Sequence, residues 1–300
     1  MPTLKLRAFA KINLGLRILG RRPDGYHELR TVYQAFSLAD RMKVTLGTRS
    51  APAGTGITVE SDDPAVPSGP QNLVYKACQR WCEARGLKRS ITVSIEKRIP
   101  AGGGLGGASS DAAAVLVALE RLAGDRLPPA SRFEIAADLG SDVPFFLEGG
   151  RALGCGRGEE VYRLPDLPQR HCLVVFPGFS QSTREAYAAF DSQLTAEQKP
   201  RSIYSFGKWP QFPWQCWEAA ENDFERVVFA KWPELQRLKR QLLRAGAEMA
   251  SLSGSGSAVY AIFASARKLA SCRKWVPPRW RSFAVRTLSR AEYHRLQFES

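Results

Sequence analysis

The stretch RIPAGGGLGGASSDAAAVL, Arg98 to Leu116, limits the fold of this chain more than any other. Five of the six residues from Gly102 to Gly107 are glycine, and an almost wholly apolar run comes next. Glycine reaches backbone conformations closed to other residues and lets a ligand approach the main chain. ITVSIEK, residues 91–97, alternates apolar and polar positions and predicts a strand entering the loop. SSDAAAVLVALERLAG predicts a helix leaving it, with Ser and Asp at its start and Gly124 at its end. That helix is apolar nearly all round, so it has to be buried. Strand, glycines and helix together aim main-chain N–H groups and the positive end of a helix dipole at one spot, an arrangement that binds phosphate.

Which phosphate is a matter of context. Gly102, Gly104 and Gly107 satisfy G-x-G-x-x-G letter for letter, but a dinucleotide-binding unit needs a second strand that ends in an acid about twenty residues on. Here Glu120 and Asp125 fall in the helix and its terminal loop, and the next segment, DRLPPASRFEIAADLG, is no strand. The pattern G-x-x-x-x-G-K-[ST] fails as well, because the glycines run into Ala-Ser-Ser with no lysine. A tight turn that serves packing alone needs one or two glycines rather than five. A phosphate cradle of another kind is left.

Around it the pattern is mixed α+β, without repeats. LKLRAFAKINL, LRILGR, LRTVYQAFSL and RMKVTLG predict N-terminal strands, with a turn at RRPDGYH, and NLVYKACQRWCEARG predicts a helix. GGRALGCGRGEE predicts a boundary that divides the chain into 1–160 and 161–300. Beyond it HCLVVFPG and FAVRTLSR predict strands, STREAYAAFDSQL, ELQRLKRQLLRAG and ARKLASCRKW predict helices, and SLSGSGSAVYAIF predicts a glycine turn into a strand. The aromatic segment Tyr204 to Trp217 is expected to pack under a long loop.

A net charge of +14 favours anionic partners, whether nucleic acid, membrane or phosphorylated small molecules, without choosing among them. The basic residues are spread along the chain with no block of five, and a nucleic-acid binder concentrates them on one face. Lys5, Arg7, Lys11 and Arg17 interrupt any signal-peptide core, and no run approaches the ~20 apolar residues of a membrane helix. The expectation is a cytoplasmic protein without membrane association. Six scattered cysteines read as reduced thiols, and Cys78 and Cys82 lack the second pair that a zinc site requires.

Family resemblance sharpens this reading. PAGGGLGGASS, Pro100 to Ser110, resembles the central motif of the small-molecule kinases grouped with galactokinase, homoserine kinase, mevalonate kinase and phosphomevalonate kinase, the GHMP superfamily. LSGSGSAVYAIF, Leu252 to Phe263, resembles that superfamily's third motif. AKINLGLRILGRRPDGYHEL, Ala10 to Leu29, is similar to the opening of one family within it, the 4-diphosphocytidyl-2-C-methyl-D-erythritol kinases. LGSDVPFFLEGG, FPGFSQSTREAY, KPRSIYSF and ENDFE match further segments of that family, and only the basic tail is weakly covered. The resemblance implies a two-domain α+β GHMP kinase fold. An N-terminal ribosomal-protein-S5-domain-2-like ATP-binding domain would precede a C-terminal α/β-sandwich (ferredoxin-like) domain. It also implies ATP-dependent phosphorylation of the 2-hydroxyl of 4-diphosphocytidyl-2-C-methyl-D-erythritol, a step of the non-mevalonate (MEP) isoprenoid route.

Residue by residue, the resemblance puts Asp142 as the base and Lys11 as the cation that holds it and the hydroxyl. It puts the ATP phosphates on Pro100, Ala101, Gly102, Gly103, Gly104, Leu105, Gly106, Gly107, Ala108, Ser109 and Ser110, with both serine hydroxyls available and with Lys97 and Asn72 near the nucleotide. Tyr26 and Tyr187 would sandwich the cytosine, His27 would read its edge, and Asn13 and Thr183 would lie near the methylerythritol end. Mg2+ would accompany ATP, held by phosphate and water rather than by a protein metal site. The protein would be a monomer or weak homodimer whose partners are these two small molecules, with no nucleic acid.

Read from the residues alone, Asp142 also fits a cap for a helix starting at Val143-Pro144, Lys11 a strand-edge charge, and His27 a turn residue. Two other functions stay open at this point. One is a kinase for another small alcohol, of the homoserine or mevalonate type. The other is a non-catalytic basic RNA-binding protein, whose mark is salt-sensitive RNA binding without ATP turnover.

Overall fold

The strands expected at the N-terminus join into two long ones, β1 (Thr3–Arg21) and β2 (His27–Leu46), paired antiparallel along their length. The computed structural model describes residues 1–47, 56–193 and 221–298, so KPRSIYSF and the aromatic segment Tyr204 to Trp217 lie outside the described residues. The other edge of β2 is shared. Its first half pairs with β5 (Arg151–Cys155) and its second half with β4 (Ile91–Glu96). β3 (Ile57–Ser61) lies parallel to β4, and β6 (Glu160–Arg163) pairs with β5.

Against this sheet pack α1 (Leu73–Ala84) and α2 (Gly107–Ala123), then α3 (Pro129–Leu139) and α4 (Val143–Glu148). α2 leads into α3 rather than a strand, as its sequence requires. Glu120 is buried in α2, where it accepts from the Leu127 N–H at 3.0 Å and pairs with Arg132 at 3.2 Å. The acid closest to a dinucleotide position is thus a structural one.

The second sheet is wholly antiparallel, in the order β10 (Arg281–Arg286), β7 (His171–Phe176), β9 (Val259–Phe263), β8 (Met249–Leu252). Period-two alternation divides its faces. Leu173, Val175, Val259, Ala261 and Phe263 meet α5 (Thr183–Gln193), α6 (Phe224–Lys231), α7 (Pro233–Arg244) and α8 (Ala266–Cys272). Cys172, Val174, Tyr260 and Ile262 face the first sheet and form a core with Ala10, Ile12 and Leu14 of β1. The chain passes from the first sheet to the second between β6, which ends at Arg163, and β7, which begins at His171, and the final helix, α9 (Arg290–Gln297), returns to the first. Leu288 and Tyr293 belong to the N-terminal core, with the Tyr293 hydroxyl donating to the Phe146 carbonyl at 2.8 Å.

β1 carries the feature that builds the site. Leu6 and Ala8 face the helices, whereas Ala10, Ile12 and Leu14 face the second sheet, and the register slips between Phe9 and Ala10. A bulge adds one residue, which moves every later side chain to the opposite face. Lys11 and Asn13 therefore leave the inter-sheet core and enter the cleft beside the start of α2.

Candidate active site

A cleft of about 640 Å³ opens where β1, the glycine loop, α5 and the β8–β9 turn meet. Lys11 sits at its floor, only 3% exposed, with its Nζ 3.2 Å from Asp142 Oδ2 and donating to Asn13 Oδ1 at 2.7 Å. Asn13 donates onward to Thr31 Oγ1 at 2.8 Å, and Thr31 to the Gly15 carbonyl at 2.7 Å, so the lysine hangs on a braced chain. Asp142 precedes α4 and makes no side-chain cap to it. Its other oxygen instead accepts from the Tyr33 hydroxyl at 3.0 Å. Capping is therefore not the role of Asp142. Burial and the Asp142 charge push the Tyr33 phenol well above its ordinary value, so it stays a neutral donor.

The glycine loop runs along the same cleft. Gly104 and Gly106 have φ of +75° and +74°, and Gly104, Gly106 and Ser109 line the cavity. A Cβ on Gly106 would stand 2.6 Å from the Phe146 ring and 3.1 Å from the Lys11 stem, so a side chain there would push on the lysine. Gly106 is the N-cap of α2 with no side-chain cap, which leaves first-turn N–H groups turned to the cleft and available to an anion. The remaining loop carbonyls tie the domains together. Ser253 Oγ donates to the Gly104 carbonyl at 2.9 Å and the Ala258 N–H to Gly103 at 3.1 Å, while the Lys11 N–H donates to Leu105 at 3.0 Å within the first domain. Pro100 is buried, Ala101 is exposed, and both enter the loop, while Gly102, Gly107 and Ala108 complete it around the helix start. Ser110 departs from expectation: its hydroxyl is buried and donates to the Phe9 carbonyl at 2.6 Å, so of the two serines only Ser109 faces the cleft.

Lys97 and Asn72 both have their polar atoms engaged by the protein. Asn72 caps α1, accepting from the Val74 N–H at 2.8 Å and donating to the Pro67 carbonyl at 2.6 Å. Both ends of its amide are taken. Lys97 lies beside Gly107 but is buried between Asp40 and Asp111, 2.8 Å from the latter. Asp40 also accepts the Arg98 and Ile99 N–H groups, whereas Asp111 leaves Oδ1 without a partner. Burial first, and the second carboxylate against it, push the Asp111 carboxyl up to about 8. A carboxyl raised in the folded state binds a proton that the unfolded chain releases near 4, so stability falls as pH rises between about 4 and 8. The expectation is that melting temperature declines over this window in the parent protein and declines less in Asp111→Asn, measured by thermal melts in a pH series.

At the other end of the cleft stand Tyr26, His27 and Tyr187, the residues expected at the base, with His27 rather than an open slot against Tyr187. His27 lies on Tyr187, ring centroids 4.4 Å apart and planes at 16°, and its Nε2 is 2.7 Å from Asp191 Oδ1. Phe224 meets Tyr187 edge-on at 4.8 Å. Tyr26 is 55% exposed, with the Arg157 guanidinium 4.8 Å over its ring. The imidazole thus occupies a tyrosine face where an open slot was expected, because α5 offers it a ring and a carboxylate one turn apart. Thr183 shares a 2.9 Å hydrogen bond with Ser255. Arg21, Arg157 and Arg184 add positive charge to the lining.

The sequence reading missed Tyr33, Asp191 and Asn222. Asn222 donates to the Leu252 and Gly254 carbonyls at 2.9 and 2.8 Å, holding the third glycine turn. Its place in ENDFE was the available signal.

Residues 72–150 match the GHMP kinases N terminal domain and residues 215–274 the GHMP kinases C terminal domain. A 4-diphosphocytidyl-2-C-methyl-D-erythritol kinase from Solibacter usitatus is 47% identical over 86% of this chain and 80% of its own length. One from Geobacter sulfurreducens is 38% identical over 96% of this chain and all of its own. A crystal structure of 4-(cytidine 5'-diphospho)-2C-methyl-D-erythritol kinase superposes with a TM-score of 0.73 at 33% identity, covering 95% of this chain and 99% of that one. A homoserine kinase from Cytophaga hutchinsonii, at 20% identity and a TM-score of 0.77 over 96% and 95% of the two chains, shares the fold.

Proposed function

Because the chain belongs to the 4-diphosphocytidyl-2-C-methyl-D-erythritol kinases, a family of GHMP kinases, we propose how its own residues carry the reaction. The protein is an ATP-dependent kinase of the non-mevalonate isoprenoid route, and its acceptor is 4-diphosphocytidyl-2-C-methyl-D-erythritol. We take the 2-hydroxyl as the attacking group. As its oxygen bonds the γ-phosphorus and the bond to ADP breaks, its proton passes to Asp142. Lys11 pairs with the carboxylate and steadies the attacking oxygen. The observation that carries this reading is the Lys11–Asp142 pair at 3.2 Å, next to an uncapped helix start in one cleft.

ATP is the phosphoryl donor, cradled by the glycine loop and the first turn of α2. The cleft's donors are hard oxygens, with the Ser109 and Ser141 hydroxyls in its lining, and no group of three His, Cys, Asp or Glu among the described residues forms a metal site. That donor set fits Mg2+, which keeps water and phosphate ligands, with Ser109 in the first turn of α2 the side chain that would hold it. The ion supplies charge neutralisation on the transferred phosphoryl group. Arg21, Arg157 and Arg184 offer counter-charge to the acceptor's diphosphate, and we place the base beside Tyr26, His27 and Tyr187. No helix among the described residues is long and apolar enough to cross a membrane. We read the protein as cytoplasmic, a monomer or weak homodimer acting on small molecules.

The test is ATP consumption with the cytidine-linked methylerythritol diphosphate against methylerythritol phosphate. Rapid turnover is expected with the first alone. Equal rates on both, or turnover only on homoserine or mevalonate, would overturn the assignment.

Tyr33 is the positioning residue of the pair. Its hydroxyl fixes one carboxylate oxygen of Asp142 and leaves the other to Lys11 and the acceptor. A hydrogen bond to a charged group contributes about 1.5–3 kcal/mol, so Tyr33→Phe is expected to lower kcat roughly ten- to a hundredfold. Steady-state kinetics should find KM for both substrates within about twofold of the parent, since the ring remains in place.

A further inference from the structure

We propose that Asp191 is the residue that makes this kinase choose a cytosine over a uracil, acting through His27; the inference rests on the assignment of the cytidine-linked acceptor. Tyr187 and Asp191 lie four residues apart on α5, so they share one face of the helix and meet the same imidazole. Tyr187 sets the plane of the ring through the stack. Asp191 sets its rotation within that plane through Nε2. Phe224, edge-on against Tyr187, keeps the platform from turning. His27 is 8% exposed and sits at the first residue of β2, where its backbone is paired with Arg21, so main chain and ring are both held.

The chemistry is dictated by the partner. A carboxylate only accepts, so the proton of the His27–Asp191 hydrogen bond resides on Nε2. Nδ1 has no protein partner among the described residues, and His27 lines the cleft where the base is placed. In that tautomer Nδ1 is an acceptor, the sense that meets the 4-amino group of cytosine and opposes the 4-oxygen of uracil. Cytosine and uracil have the same shape but opposite hydrogen-bonding sense at ring positions 3 and 4, so a reader of fixed sense pairs with one and opposes the other. A site built on a fixed polar group discriminates far more strongly than one built on shape.

Asp191→Asn is the discriminating variant. Its amide presents either an oxygen or an NH2 to Nε2, so His27 is free to take either tautomer. Steady-state kinetics with the cytidine-linked acceptor and its uridine-linked analogue should show the ratio of kcat/KM falling at least tenfold in Asp191→Asn and in Asp191→Ala. The loss should lie in KM for the cytidine acceptor, with KM for ATP unchanged. A ratio that stays at the parent value in both variants overturns the proposal.

A second readout is independent of turnover. The chain has three histidines, so nitrogen-15 imidazole spectra are simple to assign, with His27→Gln identifying the signal. The parent should show His27 with hydrogen on Nε2, and Asp191→Asn a shift of the population toward the other tautomer. Identical spectra in the two proteins overturn the proposal even if the kinetic ratio falls. Failure of the kinase assignment itself would appear differently, as a parent protein inactive on both acceptors.

Discussion

Asp142→Asn is expected to lower kcat about a thousandfold, within the range of about 10²–10⁴ that a positioned general base contributes. Asparagine keeps the size of the side chain and its hydrogen bond from Tyr33 but takes up no proton. The ATP site should be indifferent, because its donors belong to the main chain of the glycine loop and α2 rather than to Asp142. Lys11 keeps its 2.7 Å bond to Asn13, so the variant does not leave a buried cation without any partner. Isothermal titration with a non-hydrolysable ATP analogue should give a Kd within about threefold of the parent, and melting should change little. Lys11→Ala is expected to be comparably slow and also less stable, since it opens a void beneath Tyr33, whose ring the Nζ approaches at 5.6 Å. An Asp142→Asn protein that turns over at a near-parental rate would remove the base from the mechanism.

The parts of this site that were readable in sequence are those in which function is written locally. The glycine loop is one, because consecutive glycines have a direct conformational meaning and the helix after them declares its burial by composition. The dinucleotide reading could be discarded for the same reason: the segment after α2 is no strand in sequence and forms the helix α3 in the fold. Lys11 and Asp142 were readable only through motif resemblance. No periodicity brings together two residues so far apart in the chain.

What the sequence did not show has a common physical origin. Asn72, Lys97 and Ser110 are polar residues near the loop, and each has its polar atoms engaged by a partner that local sequence does not reveal. Tyr33 sits in LRTVYQAF, where an aromatic in an alternating strand signals packing. Only the return of the chain past Gly154 and Gly158 puts its hydroxyl on Asp142, and a Cβ on either glycine would come within 2.5 Å of the Tyr33 side chain. The bulge after Phe9 lies inside LKLRAFAKINL, whose alternation runs through it unbroken, so nothing local marks it. Its effect was to turn Lys11 and Asn13 into the cleft, and it is visible only in the pairing with β2.

Gly104→Ala is expected to abolish useful ATP binding and to destabilise the fold by about 2–4 kcal/mol, the sum of a strained left-handed residue and an overpacked contact. A Cβ at this position would stand 2.0 Å from the Ser253 carbonyl oxygen and 3.0 Å from its carbon. Those are backbone atoms, so no side-chain rotation relieves the clash. Ser253 cannot withdraw alone, because its hydroxyl donates to Gly104 itself and its N–H to the Ala258 carbonyl at 2.9 Å. The loop and the β8–β9 turn would have to part, and the contact between the two sheets' domains would open where the phosphates are held. Gly103→Ala is the control, since Gly103 lies outside the left-handed region and its nearest neighbour would be the Phe176 ring at 3.2 Å, a side chain able to give way. Its cost should stay near about 1 kcal/mol. Melting with and without ATP separates the two effects, because a ligand that binds only the folded state raises the melting temperature in proportion to its affinity. The parent and Gly103→Ala should both show the rise; Gly104→Ala should melt lower and show none. A Gly104→Ala protein with parental melting and a parental response to ATP would mean that the cradle tolerates a side chain, and the phosphates would have to be placed elsewhere in the cleft.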